Sequence, residues 1–174
     1  MTQLTFDASK RAIMVAPEDN AILCAVAKIA VAHGHLEYIL KMTIRSLAQM
    51  SIHEVLDATE YVSARELREI IKRLFKKKTK DDQLRLKLSA LLTEAGRLTE
   101  KRNGLIHRPW AQDVEGDLII KGDDHHWEPL PPANELEELA TSIYDLIRRI
   151  NHERMSGFIY DVMNPPPEPL PKED

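Results

Sequence analysis

The feature that most constrains the fold of this chain is an apolar pattern near its C-terminal end. Between positions 136 and 150 the apolar residues recur every three or four positions: Leu136, Leu139, Ala140, Ile143, Leu146, Ile147 and Ile150. This spacing matches the 3.6-residue period of an α-helix and places these side chains on one face. A helix with such a face must bury it against other elements. The chain is therefore expected to pack helix against helix.

Earlier segments carry helical patterns as well, and their starts are marked by capping signals. A first long helix is predicted over about residues 18–48, followed by a short helix over about 52–58. A Ser-x-x-Glu capping box at residues 63–66 starts another helix. Asp81 or Asp82 is expected to cap the next one. Together these patterns predict an all-α domain built as a bundle of four to five helices.

The pattern changes from helical to extended after Pro109. Residues 113–117 are polar and contain a glycine, which indicates a turn, and residues 118–120 are consecutive apolar residues typical of a short strand. We therefore predict a small β-hairpin over about residues 110–128, before the last helix. Asn134 is expected to cap that helix.

Composition narrows the class of protein. The lone cysteine, Cys24, excludes an intrachain disulfide, and its apolar helical surroundings predict that it is buried. The N-terminal residues lack the layout of a signal peptide, and no apolar run approaches the roughly 20 residues that span a bilayer. A soluble cytoplasmic protein without a membrane partner is expected. Residues 1–160 should form one domain, and the proline-rich acidic tail, residues 161–174, should be disordered.

Charge is distributed unevenly along the chain. Residues 61–108 hold 14 Lys and Arg but only 6 Asp and Glu, whereas residues 109–174 hold 5 and 15. Regional charge bears on binding partners and not on the fold. The basic run at the end of the third helix comprises Lys76, Lys77, Lys78 and Lys80. It is either a patch that contacts RNA phosphates or a helix end where cations complement the helix dipole.

Arg102, Asn103 and His107 form the most informative polar group, at the end of the helix that precedes the hairpin. Arg102 follows Leu98 by four residues, so it extends the core-facing stripe of that helix. If the helix continues, Asn103 and His107 share a face; if it stops at Gly104, His107 lies in the following turn. In either case the three side chains can converge on a small anion. Arginine binds phosphate oxygens, histidine moves protons near neutral pH, and asparagine can orient either one.

The segment Arg102-Asn103-Gly104-Leu105-Ile106-His107 resembles the R-x4-H motif of the HEPN superfamily. The resemblance covers this motif and the helical layout of about residues 18–155. It implies an α-helical bundle that forms a homodimer, with the two motifs meeting at the interface. Many members are metal-independent endoribonucleases of toxin–antitoxin, phage-defence and RNA-processing systems. An antitoxin or another protein is therefore a further expected partner, beside RNA.

The resemblance also implies a role for each residue of the site. The ribose 2′-hydroxyl attacks the adjacent phosphorus and leaves a 2′,3′-cyclic phosphate. His107 would transfer protons, Arg102 would stabilise charge on the phosphoryl oxygens, and Asn103 would position His107 or the phosphate. The first long helix of such proteins often supplies a polar residue, for which Glu37 is the candidate.

The chain departs from the usual pattern just after the motif. Glycine often follows the histidine in similar proteins, whereas Arg108 and then Pro109 follow it here. Arg108 adds a cation that suits RNA, but the change also fits a member that does not cleave. The alternative function is a non-catalytic helical scaffold that binds a partner protein or a nucleotide. No cofactor or metal is expected, although residues 33–37 and 123–126 contain side chains of the types that bind metals.

Overall fold

The computed structural model of the protein describes residues 13–14, 18–113, 115–123 and 126–165. Within these residues the chain forms the following elements in order: β1 (Ile13–Met14), α1 (Asn20–Ala48), α2 (Ile52–Ala58), α3 (Ala64–Lys78), α4 (Asp82–Ile106), β2 (Trp110–Gln112), β3 (Leu118–Lys121), β4 (Trp127–Pro129), α5 (Ala133–Met155) and α6 (Phe158–Met163). The predicted all-α bundle, with a small sheet before the last long helix, is confirmed.

The core of the bundle is built around α1. Its inner face packs most extensively along α5 and also contacts α3, α4 and α2. Ala25 and Ala32 are fully buried on this face, together with Ile29, Leu36 and Leu40. Small alanine side chains let a neighbouring helix approach closely, while the larger residues fill the space between the helices. α1 therefore fixes the positions of the helices that surround it.

α3 and α4 form an antiparallel pair whose starts match the predicted caps. Ser63 and Glu66 make a reciprocal capping box, and the Asp81 carboxylate accepts hydrogen bonds from the backbone N–H groups of the first turn of α4. α4 then continues through Gly104 to Ile106. Of the two geometries considered for the motif, the continuous helix is the one observed.

The predicted hairpin is part of a larger antiparallel sheet with strand order β1-β2-β3-β4. Asp113 begins the predicted turn, and its Oδ1 accepts a hydrogen bond from the Asp117 N–H at 2.8 Å. Gly116 has a φ of 93°, a conformation that favours glycine. The Trp110 indole N–H donates to the Leu105 carbonyl at 2.8 Å. This bond ties the sheet to the end of α4, where the motif lies.

Two local predictions were wrong. Asn134 does not cap α5, because Pro132 occupies the N-cap position and its carbonyl accepts from the N–H groups of Glu135 and Leu136. Cys24 is exposed, since it lies on the outer side of α1. In addition, α6 carries the folded chain to Met163, three residues beyond the predicted domain end. Most of the predicted disordered tail, from residue 166 onward, lies outside the described residues.

α1 also bears on the expected absence of a membrane span. Among the helices described, it alone is long and apolar enough to cross a bilayer by length and composition. Its inner face is covered by the other helices of the bundle. The central helix of a soluble helical bundle passes the same test of length and composition, and the fold is consistent with a soluble protein.

Candidate active site

The three side chains of the motif meet at the C-terminal end of α4. The Nη1 nitrogen of Arg102 lies 2.9 Å from Oδ1 of Asn103 and 3.2 Å from Nε2 of His107. A guanidinium group only donates hydrogen bonds, so both contacted atoms act as acceptors. In this contact Nε2 of His107 is the acceptor, which corresponds to the imidazole tautomer with its proton on Nδ1. One arginine nitrogen holds an amide and an imidazole together.

The helix end explains how residues five positions apart come into contact. His107 is the C-cap residue of α4, and its N–H bonds to the Asn103 carbonyl at 3.0 Å. Arg102 lies one turn beyond the fully buried Leu98 and is half-buried itself, with an Nε atom that is shielded from solvent. As its position on the core-facing stripe predicts, Arg102 is anchored at the bundle, while Asn103 and His107 are exposed.

A cavity of about 340 Å³ opens beside this group, between α1, α3 and α4. Its wall includes Arg102 and Asn103 from α4, Glu37 from α1, and Arg68 from α3. Glu37, predicted to reach the site from the first long helix, thus lines the same cavity as two of the motif residues. Polar side chains from three different helices thus line one small space.

His33 forms the inner wall of the cavity and is a buried residue. Only 3% of it is exposed. Its Nε2 lies 3.3 Å from the Thr99 hydroxyl, which itself donates to the Ala95 carbonyl. Thr99 therefore accepts from His33, so the neutral imidazole carries its proton on Nε2. The Nδ1 atom faces Glu37 Oε1 at 3.7 Å.

The electrostatic surroundings of His33 favour its neutral form. Burial is the largest influence and lowers the pKa of His33 below its ordinary value. The Glu37 carboxylate acts in the opposite direction and raises the pKa. The guanidinium groups of Arg102 and Arg68 both lower it again. The positive charges of Arg102 and Arg68 therefore both influence the end of the cavity where His33 lies.

Arg68 is a site residue that the sequence reasoning missed. It lies on α3, and its guanidinium packs against Gly96 of α4: a Cβ placed on Gly96 would come within 3.3 Å of Arg68 Nη2. A glycine inside a helix often marks a position where another group approaches closely. Gly96, between the apolar residues of α4, was the one sequence signal that could have indicated this contact.

The predicted RNA-binding cations are not gathered around the cavity. Arg108 forms an ion pair with Asp123 and lines a different cavity, of about 480 Å³, on the sheet side of α4. The lysine run of residues 76–80 is exposed at the turn between α3 and α4, apart from the half-buried Thr79. Twenty residues of α4 separate Asp82 from Arg102, which corresponds to about 30 Å along the helix axis. The lysines and the motif thus lie at opposite ends of the α3–α4 pair.

A larger cavity, of about 680 Å³, lies between α4, α5 and α6. Its arginines are engaged with carboxylates, since Arg149 pairs with Glu94 and Arg148 with Asp145. Within the described part of the chain, no group of three or more His, Cys, Asp and Glu side chains is arranged to hold a metal ion. In the cavity beside Arg102, by contrast, the Arg68 guanidinium lines the wall without an ion pair to any described residue.

Comparisons with protein-family models, with curated proteins and with solved structures find no match to this chain.

Proposed function

We propose that the protein is a metal-independent endoribonuclease of the HEPN type. The observation that carries the proposal is the contact of one Arg102 nitrogen with both Asn103 and His107, beside a cavity that Glu37 also lines. Arginine stabilises charge on a phosphoryl group, and an imidazole next to it can move a proton. The combination suits phosphoryl transfer within RNA.

The proposed reaction begins at His107. When a phosphate oxygen takes the place of His107 as the acceptor for Arg102, the Nε2 lone pair becomes free to accept the proton of the ribose 2′-hydroxyl. The 2′-oxygen then bonds to phosphorus, and the bond from phosphorus to the 5′-oxygen breaks. Arg102 stabilises the developing charge on the phosphoryl oxygens. The products are a 2′,3′-cyclic phosphate and a 5′-hydroxyl.

The leaving 5′-oxygen requires a proton from a second group. Attacking and leaving oxygens lie on opposite sides of phosphorus in an in-line displacement, so a single imidazole does not reach both. We assign this second role to His107 of another copy of the chain, which must carry a second proton, as an imidazolium, while the first His107 is unprotonated at Nε2; after the reaction the two imidazoles have exchanged these states. The proposed enzyme is therefore a homodimer in which each copy contributes to the cleavage of one bond.

The outer face of α1 supports a homodimer. Leu23, Val31 and Tyr38 are 42%, 54% and 49% exposed on this face. Ala27 and Gly34 lie between them, and a Cβ on Gly34 would meet no atom within 4 Å. These positions share one side of the helix. Large exposed apolar side chains beside small ones allow close approach of a second helix, which we propose is α1 of the other copy.

The wider biological setting that we propose is a toxin or defence system in the cytoplasm, with RNA as substrate and an antitoxin or another protein as partner. One observation favours the alternative, a non-catalytic scaffold that binds a protein or a nucleotide. Arg108, the cation added after the motif, is held by Asp123 and faces away from the cavity beside Arg102. A cation recruited for RNA would be expected to stay unpaired.

Cleavage of a mixed RNA pool in the presence of EDTA tests the proposal. Wild type is compared with His107→Ala and with His53→Ala, which makes the same change at an exposed site on α2. We expect wild type and His53→Ala to leave ends with cyclic phosphates, and His107→Ala to lose at least about a hundredfold in rate, in line with the loss of a general base. Helical circular dichroism should be the same for all three.

The outcomes separate the two functions. A folded, dimeric wild type that leaves the RNA intact would favour the scaffold. Cleavage that requires a divalent metal, or that survives in His107→Ala, would contradict the proposed mechanism.

A further inference from the structure

Arg68 differs in its contacts from four other arginines of this protein. Arg85, Arg108, Arg148 and Arg149 each form an ion pair with a carboxylate. Arg68 forms no ion pair and no hydrogen bond with the residues that the structure describes, and its Nη1 atom is shielded from solvent without an acceptor. A partly desolvated guanidinium without an acceptor is unfavourable until an anion binds to it. Arg68 can therefore bind an anion without first breaking an ion pair within the protein.

The neighbours of Arg68 concentrate positive charge in the cavity. Arg65, Arg68 and Arg102 line the wall, and the carboxylates on the same wall are Glu37 and Glu100. Of these, Glu37 is placed opposite His33, at 3.7 Å from its Nδ1.

The Arg102 guanidinium extends from the motif into this cavity. Its Nη1 contacts Asn103 and His107, whereas its Nε has no acceptor among the residues described. Arg102 and Arg68 line the same cavity from α4 and α3, and both act on His33 at its inner wall. A space of about 340 Å³ is at the lower end of the range for small-ligand pockets and holds a phosphate group readily.

We propose that Arg68 and Arg102 together form a phosphate-binding subsite, which holds the backbone phosphate next to the one that is cleaved. The ligand class, an RNA backbone, rests on the proposed ribonuclease function. Arg102 then contacts both the reacting phosphate and its neighbour, and Arg68 contacts the neighbour alone. Arg68 is a binding residue in this arrangement and takes no part in proton transfer.

Gly96 makes it possible to displace the Arg68 guanidinium without removing its charge. A methyl group at this position would lie 3.3 Å from Nη2 and 3.4 Å from Cζ of Arg68, so the guanidinium must shift. Alanine also has a higher helix propensity than glycine. Gly96→Ala should therefore fold at least as well as wild type while its subsite is disturbed.

Binding of a fluorescent 2′-O-methyl oligoribonucleotide tests the subsite. This probe has the RNA backbone but lacks the hydroxyl nucleophile, so binding is measured without cleavage. Wild type is compared by fluorescence anisotropy with Arg68→Met and Gly96→Ala, and with Arg148→Met on the exposed surface of α5 as the matched control. The dissociation constant is measured over a range of salt concentrations.

We expect Arg68→Met to weaken binding roughly tenfold or more, because a charge-assisted contact is lost. The affinity of this variant should also depend less on salt. The slope of log binding constant against log salt concentration should be less steep by about 0.7, which corresponds to the loss of one phosphate contact on a single strand. Gly96→Ala should weaken binding severalfold with its thermal midpoint preserved. Arg148→Met should bind within about twofold of wild type.

Equal affinity and an equal salt slope in wild type and Arg68→Met would overturn the subsite, as would a wild type that does not bind the probe. Cleavage distinguishes this failure from failure of the proposed function. If wild type cleaves RNA and Arg68→Met cleaves it with an unchanged KM, the subsite is wrong and the function stands. If the probe binds through Arg68 but RNA stays intact, the function is wrong and the subsite stands.

Discussion

Acidification should destabilise this protein through one buried imidazole, that of His33. Burial, followed by the charges of Arg102 and Arg68, lowers the pKa of His33 against the opposing effect of Glu37. In the unfolded chain the imidazole returns to its ordinary pKa of 6.5. Below pH 6.5 the unfolded state therefore binds a proton that the folded state does not. The free energy of unfolding falls as the pH drops through this range, and the contribution of His33 is fully present above it.

The size of this effect has an upper limit. One proton bound only in the unfolded state changes the free energy of unfolding by about 1.4 kcal/mol per pH unit. Between pH 6.5 and pH 5.0 the loss due to His33 can thus reach about 2 kcal/mol. For a domain of this length, 174 residues, each kcal/mol corresponds to about 2–4 °C in Tm. The Tm should therefore fall by up to roughly 4–8 °C from this group alone.

Thermal unfolding of wild type and His33→Gln between pH 5 and pH 8 measures the contribution. Glutamine can keep an N–H near Thr99 but does not titrate. Exposed histidines and the carboxylates away from residue 33 contribute equally to both proteins, so the difference between the two Tm curves reports on His33 and its neighbour Glu37. We expect this difference to change steadily below pH 6.5 and to be constant above pH 7. Parallel curves over the whole range would refute the idea that His33 stays neutral in the folded protein.

Two further changes test the packing around the site and the proposed dimer. Thr99→Val leaves the buried His33 N–H without its acceptor and should lower the free energy of unfolding by about 1–3 kcal/mol, as measured by urea titration. Thr141→Val is the control, because it removes a comparable hydroxyl-to-backbone hydrogen bond at an exposed position of α5. It should change the free energy of unfolding far less. Val31→Asp places a charge on the outer face of α1 and should convert a dimer to a monomer in light scattering. Leu86→Asp, at a residue of α4 that is 63% exposed, should leave the mass unchanged, and a Val31→Asp protein that stays dimeric would rule out this face.

The parts of the fold that the sequence predicts are those that depend on local signals. The capping box of Ser63 and Glu66 and the periodic stripe of α5 are contained within single helices. By contrast, Cys24 lies in a helix with apolar residues on several sides, so its sequence neighbours do not reveal which side faces the core. β1 has two residues, and it is recognisable only by its pairing with β2, about a hundred residues further along.

The same distinction applies to the candidate site. Arg102, Asn103 and His107 lie within six residues of one helix end, and their convergence follows from the helix geometry. Arg68 and His33 belong to other helices, and their role depends on how α1 and α3 pack against α4. For Arg108 the sequence predicted a role that the structure does not support. Its position next to His107 suggested that it binds RNA together with the motif, but its side chain forms an ion pair with Asp123. Proximity in sequence predicts the triad but not the cavity around it.

α1 connects the candidate site with the proposed dimer interface. His33 and Glu37 lie along the edge of α1 that borders the cavity, and Ala30 and Gly34 are exposed just beyond that edge. At about 100° per residue, Ala30 and Glu37 differ by only about 20° around the helix. A second copy packed on the outer face of α1 would therefore lie beside the cavity. Because the proposed mechanism takes its two proton-transfer groups from two copies, separating the copies should abolish cleavage without disturbing the triad in either one.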